Sequence, residues 1–294
     1  MNSPRPPSLA RPLVAAEAIL APENALPPIV VDCRFDLSSA SAGGSRYIDG
    51  HIPGARYLHL ENDLSGRIQS GRTGRHPLPD PDALRGRFAQ IGVDAEGPVV
   101  FYDDAGGAFA ARAWWLACWL GHPCAHVLDG GWARWLEAGG AVEKGTPADV
   151  ANAPGWPMRA PLLTAADASD VIGSFTNDTA LIDARAAQRF EGIAEPIDPV
   201  AGHIPGARCM PHTANLGPDG TFLGAEALIE RWGAVLGNDS GKAICYCGSG
   251  VTAAHNVLAA TAAGFAPPRL YVGSWSEWIT DPGRAIATGP GTHS

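Results

Sequence analysis

The sequence contains IVVDCR at 29–34 and GHIPGAR at 50–56, and it repeats this pair as ALIDAR at 180–185 and GHIPGAR at 202–208. The two copies are separated by about 150 residues, which is close to the usual length of one domain. An internal repeat of this length indicates that a whole domain has been duplicated.

Two further pairs of segments support the duplication. VLDGGWARW (127–135) matches LYVGSWSEW (270–278), and VVFYDDAGG (99–107) matches AICYCGSGV (243–251), where an apolar run breaks into glycines. The matched segments occur in the same order in both halves of the chain. We therefore predict two domains of the same fold in tandem.

The predicted domains are an N-terminal one at 8–145 and a C-terminal one at 160–290, joined by a linker rich in Pro, Ala and Gly at 144–157. In each half, short apolar runs alternate with helical stretches. This pattern predicts an α/β domain in which helices flank a parallel sheet. The predicted strands are 29–32, 98–102, 125–128, 179–182, 242–246 and 269–272, and the predicted helices are 81–91, 108–120, 223–236 and 252–264.

The composition excludes several classes of protein. The 294 residues are 46% hydrophobic and 17% charged, so the chain can bury a core and does not have the composition of a disordered protein. There are 21 basic and 30 acidic residues, and the basic ones are scattered, which argues against nucleic-acid and membrane surfaces as partners. No apolar stretch reaches the ~18–20 residues that span a bilayer, and the N-terminus lacks the pattern of a secretory signal.

The six cysteines are irregularly spaced, which fits neither a disulfide scaffold nor a zinc site. We therefore expect a reducing, cytoplasmic location. The sequence implies no metal and no organic cofactor, because it contains no cluster of ligands. Five of the cysteines are interpreted as inert thiols, namely Cys33, Cys118, Cys124, Cys209 and Cys245.

The surroundings of Cys247 indicate chemistry. This cysteine follows a predicted strand, precedes Gly248 and Gly250, and lies before Thr252, which begins a predicted helix. Glycines allow backbone conformations that other residues resist, and N–H groups that converge at a helix N-terminus stabilise negative charge. Such a loop favours the thiolate and would also hold the additional sulfur of a persulfide.

These motifs together resemble those of the two-domain rhodanese-family sulfurtransferases, over nearly the whole chain. The loop Cys247-Gly-Ser-Gly-Val-Thr252 is most similar to that of 3-mercaptopyruvate sulfurtransferases. The resemblance implies two tandem rhodanese-like domains, of which only the second is catalytic. The first half agrees, because its loop carries Asp103 and Asp104 and no cysteine.

The resemblance also implies site residues. Cys247 is the expected sulfur carrier, and the loop residues Gly248, Gly250, Val251 and Thr252 are expected to bind the donor. Arg189, in IDARAAQRFEG (182–192), matches the arginine that holds the donor carboxylate. Relatives usually add a second arginine a few residues later, but residues 193–200 contain none, which leaves a different small acidic donor open.

Proton delivery is expected to come from Ser249, His76 and Glu61, with Asp63 as the competing carboxylate. An imidazole relays a proton near neutral pH, and a carboxylate fixes its orientation. His51 and His203 occur in both halves and are interpreted as structural residues of their turns.

The leading hypothesis is a sulfurtransferase that moves sulfur from 3-mercaptopyruvate through a Cys247 persulfide to an acceptor, releasing pyruvate. Expected acceptors are thioredoxin, a small thiol or cyanide. The alternatives are thiosulfate as donor and a non-catalytic module that binds a protein or senses oxidants. A cysteine phosphatase is excluded, because it needs an arginine six residues after the nucleophile, where this chain has Ala253.

Overall fold

The computed structural model describes residues 5–21, 27–146, 155–237 and 242–291. The chain forms two compact units, and each contains a segment from the other half of the sequence. The first consists of Met1–Gly66, Pro79–Leu163 and Pro218–Phe222, and the second of Arg67–Leu78, Thr164–Gly217 and Leu223–Ser294. The predicted bounds 8–145 and 160–290 stay a prediction, and residues 147–154 of the predicted linker lie outside the described residues.

The first unit contains a five-stranded parallel sheet in the order β1-β5-β4-β2-β3. Its strands are β1 (Leu13–Val14), β2 (Ile29–Asp32), β3 (Arg56–Tyr57), β4 (Val99–Tyr102) and β5 (Ala125–Leu128). Its helices are α1 (Pro7–Ala10), α2 (Ala16–Leu20), α3 (Ala42–Asp49), α4 (Pro81–Gln90), α5 (Ala110–Trp119) and α6 (Gly131–Glu137).

The second unit repeats this topology with the order β6-β10-β9-β7-β8, again parallel. Its strands are β6 (Ala165–Ala166), β7 (Ala180–Asp183), β8 (Arg208–Cys209), β9 (Ala243–Tyr246) and β10 (Arg269–Tyr271). Its helices are α7 (Ala168–Ser174), α8 (Ala187–Phe190), α9 (Ala225–Leu236), α10 (Thr252–Ala262) and α11 (Ser274–Trp278), with a 3₁₀ turn at His212–Asn215.

The central strands and the helices that follow them form the cores. Every residue of β4 and β9 is buried, which explains why their sequences are continuously apolar. Nine of the ten residues of α5 are buried, as are nine of the eleven in α10. Helices that are apolar on all sides lie inside a protein.

A buried ion pair fixes the same turn in each unit. Arg185 donates to the carboxylate of Asp183 at 2.6 Å and to the carbonyl of Gly202 at 2.7 Å. Arg34 makes the equivalent bonds to Asp32 and to the carbonyl of Gly50. In both units this arginine ties the end of a strand to the GHIPGAR turn.

The histidines of these turns are buried and bonded to the main chain. His203 Nδ1 lies 2.8 Å from the carbonyl oxygen of Phe190, and its ring stacks on the ring of Phe190. His51 makes the equivalent contacts with Tyr47. Both histidines therefore pack as structural residues of the turns. Among the described residues, no helix has both the length and the apolar character needed to cross a bilayer.

Candidate active site

Cys247 lies in the loop between β9 and α10, with 2% of its surface exposed. The backbone N–H groups of Gly250 and Ser249 point at its sulfur, at N···S distances of 3.1 and 3.5 Å. Gly250 has a φ of +78°, and a Cβ there would clash with the carbonyl oxygen of Val272, so the loop requires glycine at this position. The loop thus directs backbone donors at one sulfur atom.

The first unit shows what this loop holds when the cysteine is absent. Asp103 directly follows β4, as Cys247 follows β9, and it is fully buried. Its two carboxylate oxygens accept four backbone hydrogen bonds of 2.7–2.8 Å, from the N–H groups of Ala105, Gly107, Phe109 and Ala110. The same strand–loop–helix geometry therefore directs backbone N–H donors at a carboxyl group in one unit and at a sulfur atom in the other.

The backbone of Cys247 is held by Ser274 at the start of α11. The N–H of Cys247 donates to Ser274 Oγ at 3.1 Å, and this hydroxyl donates to the carbonyl of Tyr271 at 2.8 Å. Ser274 has a φ of +54°, which glycine adopts far more readily than serine, and the matching residue of the first unit is Gly131 with the same φ. The backbone conformation at this position favours glycine, and the serine found there supplies the hydroxyl that binds the N–H of Cys247.

Ser249 and His76 meet inside the second unit. Ser249 Oγ lies 2.7 Å from His76 Nδ1, and both side chains are buried. His76 belongs to Arg67–Leu78, the segment from the first half of the sequence that is part of the second unit. The N–H of Arg75 donates to Ser276 Oγ at 3.1 Å, and a Cβ on Gly74 would clash with the carbonyl of Gly273, so this segment lies tightly against the start of α11.

Glu61 and Asp63 belong to the first unit. The side chain of Glu61 is exposed, and its N–H donates to His59 Nδ1 at 3.1 Å. Asp63 accepts from Arg87 Nε at 2.7 Å and from the N–H of His59 at 2.7 Å. The carboxylate of Asp63 is thus bound elsewhere, and the role of Glu61 stays a prediction.

Arg189 lies beside the Cys247 loop. A Cβ on Gly248 would lie 3.4 Å from Arg189 Nη2 and 3.6 Å from Nη1. Two buried carboxylates hold the guanidinium: Nε donates to Glu195 at 2.9 Å, and Nη2 donates to Asp198 at 3.0 Å. The structure therefore places Arg189 at the loop, and its role toward the donor stays a prediction.

Arg75 also reaches this place, and the sequence analysis missed it. Its Nη2 atom lies 2.8 Å from the same Cβ position on Gly248, and its Nη1 atom forms an ion pair with Asp198. Burial lowers the pKa of Arg75, which still leaves a guanidinium charged at neutral pH. The sequence signal for it is its position directly before His76, which lies far from residues 193–200, where relatives carry their second arginine.

A comparison of the chain with models of known protein families identifies the family to which it belongs. A family model described as "Rhodanese-like domain" matches residues 15–138 and again residues 164–281. The chain belongs to the rhodanese family. The predicted resemblance and the predicted fold of two α/β domains are thereby confirmed.

Similar proteins place this rhodanese among sulfurtransferases. It is 49% identical over 283 residues to the "Probable 3-mercaptopyruvate sulfurtransferase" of Pseudomonas aeruginosa, covering 94% of this chain and 98% of that protein. It is 32% identical to the thiosulfate sulfurtransferase of the same organism, covering 92% and 95%. The structure of the 3-mercaptopyruvate sulfurtransferase from Leishmania major superposes with a TM-score of 0.80 at 30% identity, covering 91% of this chain and 74% of that one. The predicted reaction class, a sulfurtransferase, is therefore confirmed, and such a reaction uses a sulfur donor and a thiol or cyanide acceptor.

The other cysteines of this rhodanese are unpaired thiols, of which Cys33, Cys118 and Cys245 are buried and Cys124 and Cys209 are partly buried. Burial raises the pKa of Cys33, Cys118 and Cys245, and it raises that of Cys209 to about 11. These groups are therefore protonated at neutral pH and poor nucleophiles. Within the described ranges, no group of three or more His, Cys, Asp or Glu side chains is arranged to hold a metal ion.

Proposed function

We propose that this rhodanese takes the thiol sulfur of 3-mercaptopyruvate onto Cys247 and passes it on from the resulting persulfide. The observation that carries the proposal is the 2.7 Å hydrogen bond between Ser249 and His76, beside the cradled sulfur of Cys247. This pair can move a proton. Loss of sulfur from 3-mercaptopyruvate leaves an enolate that must be protonated, whereas loss of sulfur from thiosulfate leaves sulfite, which needs no proton on carbon.

The reaction has two halves. In the first, the Cys247 thiolate attacks the donor's thiol sulfur, so that an S–S bond forms, the C–S bond breaks and its electron pair goes to carbon. The proton of the donor thiol reaches that carbon through Ser249 and His76, and pyruvate leaves. In the second half, a thiolate or cyanide takes the outer sulfur and returns the Cys247 thiolate.

The remaining predicted residues have supporting roles in this proposal. Arg189 binds the donor carboxylate next to Gly248. The loop residues Gly248, Gly250, Val251 and Thr252 also bind the donor, and the N–H groups of Ser249 and Gly250 point at the reacting sulfur. The part expected of Glu61 in proton delivery is carried by the family resemblance alone. The relative with 49% identity that is named for 3-mercaptopyruvate supports this choice of donor.

A second candidate donor is thiosulfate. The observation that favours it is that two guanidinium groups, those of Arg75 and Arg189, lie next to Gly248, since N–H donors of both can bind oxygen atoms of thiosulfate. A relative with 32% identity carries the name of this activity. A purely binding or sensing module is disfavoured, because Cys247 lies in an intact cradle with Ser249 and His76 in place.

The acceptor belongs to the same proposal. Thioredoxin, a small thiol or cyanide can take the outer sulfur, because each supplies a nucleophile and needs no further group from the enzyme. The unpaired state of all six cysteines fits a reducing compartment such as the cytoplasm.

Steady-state kinetics with both donors test the proposal. We expect kcat/KM to be higher for 3-mercaptopyruvate than for thiosulfate in the wild-type enzyme. Ser249→Ala and His76→Ala should each lower kcat with 3-mercaptopyruvate by about 10²–10⁴-fold, the range of general acid–base catalysis, and should affect thiosulfate much less. Ser169→Ala, an exposed serine of α7, is the control. Equal losses with both donors, or a native preference for thiosulfate, would overturn the proposal.

A further inference from the structure

Two guanidinium groups reach one point beside the reactive loop. Arg75 Nη2 and Arg189 Nη2 lie 2.8 and 3.4 Å from the Cβ position of Gly248, the residue that follows Cys247. The absence of a side chain at Gly248 lets both groups approach this closely. The two arginines come from segments far apart in the sequence, yet both are parts of the second unit.

Asp198 holds these two groups side by side. Its carboxylate is 2% exposed, pairs with Arg75 Nη1 through one oxygen and accepts from Arg189 Nη2 at 3.0 Å through the other. Glu195, 3% exposed, accepts from Arg189 Nε. Because each carboxylate is buried and doubly bonded, the orientation of both guanidinium groups is fixed before a ligand arrives.

Each guanidinium retains a donor that these carboxylates do not use. Among the described residues, no hydrogen-bond acceptor is bound to Arg75 Nη2 or to Arg189 Nη1, although both atoms lie at the loop. The side chain of Arg75 is 33% exposed, so a ligand can reach it from solvent. Two fixed N–H groups next to the reacting sulfur match two neighbouring oxygens of a small acid.

We infer that Arg75 is the second donor-binding arginine, and that with Arg189 it binds the carboxylate and keto oxygens of a 2-oxo acid. This inference rests on the proposed function and adds a residue from outside 193–200.

The charges of the residues around Gly248 also determine which anions this site prefers. The cations Arg75, Arg185 and Arg189 are matched in number by the carboxylates of Asp183, Glu195 and Asp198. A charge-balanced site with directed donors favours a monocarboxylate over a dianion such as sulfate.

The first test measures ligand binding without turnover. In the Cys247→Ser enzyme, calorimetric titration with sodium pyruvate should give a dissociation constant that rises about 10-fold or more in the further variant Arg75→Gln, as expected for one charge-assisted hydrogen bond. Arg75→Lys should be intermediate, because it retains the charge and loses the planar fork. Arg72→Gln, an exposed arginine three positions earlier, is the control and should leave the constant unchanged. Sulfate should bind more weakly than pyruvate.

A double variant separates donor binding from mere neutralisation of Asp198. Because Asp198 also accepts from Arg189, the reference is the single variant Asp198→Asn. If Arg75 only balanced that buried charge, Arg75→Gln/Asp198→Asn would bind pyruvate as well as Asp198→Asn does, and this would overturn the inference. We expect the double variant to bind pyruvate more weakly than Asp198→Asn. Gly248→Ala provides a second test of Arg75. The added methyl group would displace the flexible end of the Arg75 side chain, while every charged group is retained. It should also weaken pyruvate binding.

Kinetics distinguish failure of this inference from failure of the proposed function. In the enzyme with Cys247 intact, Arg75→Gln should raise KM for 3-mercaptopyruvate about 10-fold or more with little change in kcat, because the bond forms equally with substrate and transition state. Unchanged KM and unchanged pyruvate affinity would overturn the inference alone. Pyruvate binding that depends on Arg75 in an enzyme that prefers thiosulfate would instead overturn the proposed donor.

Discussion

At the scale of single residues, Cys247 and Asp103 occupy matching positions in two copies of one loop. Backbone N–H groups point at the side chain in both, at sulfur in one copy and at a carboxylate in the other. The two copies therefore differ in the side chain that this shared loop surrounds, a carboxyl group in the first and a thiol in the second. A carboxylate cannot take up a sulfur atom and pass it on, whereas a cysteine thiolate can do so through a persulfide.

The residue-scale prediction concerns the sulfur carrier. After treatment with the donor, the intact wild-type protein should gain the mass of one sulfur atom and lose it on reduction, whereas Cys247→Ser should gain none. Cys209→Ser is the matched control, because its partly exposed thiol has a pKa of about 11 and should not accept sulfur. Mass spectrometry of the intact proteins measures both. Sulfur gained by the Cys247→Ser protein would identify a different carrier.

The local sequence indicates Cys247 as a candidate, but it gives no such indication for Arg75. A cysteine between an apolar run and a glycine-rich helix start is recognisable locally, because strand, turn and helix are adjacent in the chain. The position of Arg75 depends on the packing of a distant segment, whose His76 meets a serine 173 residues further along. No local pattern encodes such a contact. The side chain of Glu61 likewise carries no local signal that fixes its partner.

At the scale of elements, the reactive loop depends on the helix that follows β10. Ser274, the first residue of α11, accepts the N–H of Cys247, and the N–H groups of Trp275 and Ser276 donate to the carbonyls of Cys247 and Gly248 at 2.9 Å. One short helix therefore holds the backbone of the cysteine on both sides. In the first unit, Trp132 makes the equivalent bond to the carbonyl of Asp103 at 2.8 Å.

The element-scale prediction separates backbone strain from hydroxyl bonding at Ser274. Ser274→Ala retains a side chain at a φ of +54° and loses the hydroxyl, whereas Ser274→Gly loses both. We expect the glycine variant to be more stable than the alanine variant by about 1 kcal/mol, the cost of a left-handed residue with a Cβ. Urea unfolding measures this difference.

The activities of the two Ser274 variants should be alike. Both leave the buried N–H of Cys247 without its acceptor, so kcat should fall by a similar factor in each. Wild-type kcat in Ser274→Gly would show that the hydroxyl does not position the cysteine.

The central elements were predictable and the peripheral ones were not. Each predicted strand and helix is present, with ends that agree within two residues, because runs such as those of β4 and α5 are long and apolar. The edge strands β1, β3, β6 and β8 have two residues each, too few to show a period. The short helices before and after them are fixed by packing in the folded unit.

At the scale of the whole molecule, stability depends on histidines that are buried in the neutral form. Burial lowers the pKa of His122, His126, His203 and His212. His122 Nε2 lies 2.8 Å from the carbonyl oxygen of Asp94, and its Nδ1 accepts the N–H of Cys124 at 3.1 Å. Protonation of Nδ1 would remove that acceptor.

The whole-molecule prediction is a loss of stability in weak acid. Because these folded-state pKa values lie below the unfolded value of about 6.5, the unfolded chain binds protons first as the pH falls. The histidine contribution is thus complete above about pH 6.5 and is lost as the pH drops through the folded values. Thermal unfolding should show a melting temperature that falls from pH 7 to pH 5, by roughly 2–4 °C for each kcal/mol lost.

A variant tests the origin of this pH dependence. His122→Gln retains an amide that can make similar bonds but has no proton to gain in this range. We expect its melting temperature to fall less than that of the wild type between pH 7 and pH 5, whatever its absolute stability. An unchanged slope would assign the acid sensitivity to other groups.

The exchange of segments between the two units has an evolutionary consequence. Arg75 and His76 are encoded in the copy that has no reactive cysteine, and Phe222, encoded in the other copy, donates its N–H to Asp129 of the first unit at 2.8 Å. A duplicate without its own chemistry is ordinarily free to decay or to be deleted. Here deletion of the first copy would also remove the arginine and the histidine from beside Cys247. Under the proposed function, selection on the chemistry of the second half therefore also acts on the segment Arg67–Leu78 of the first.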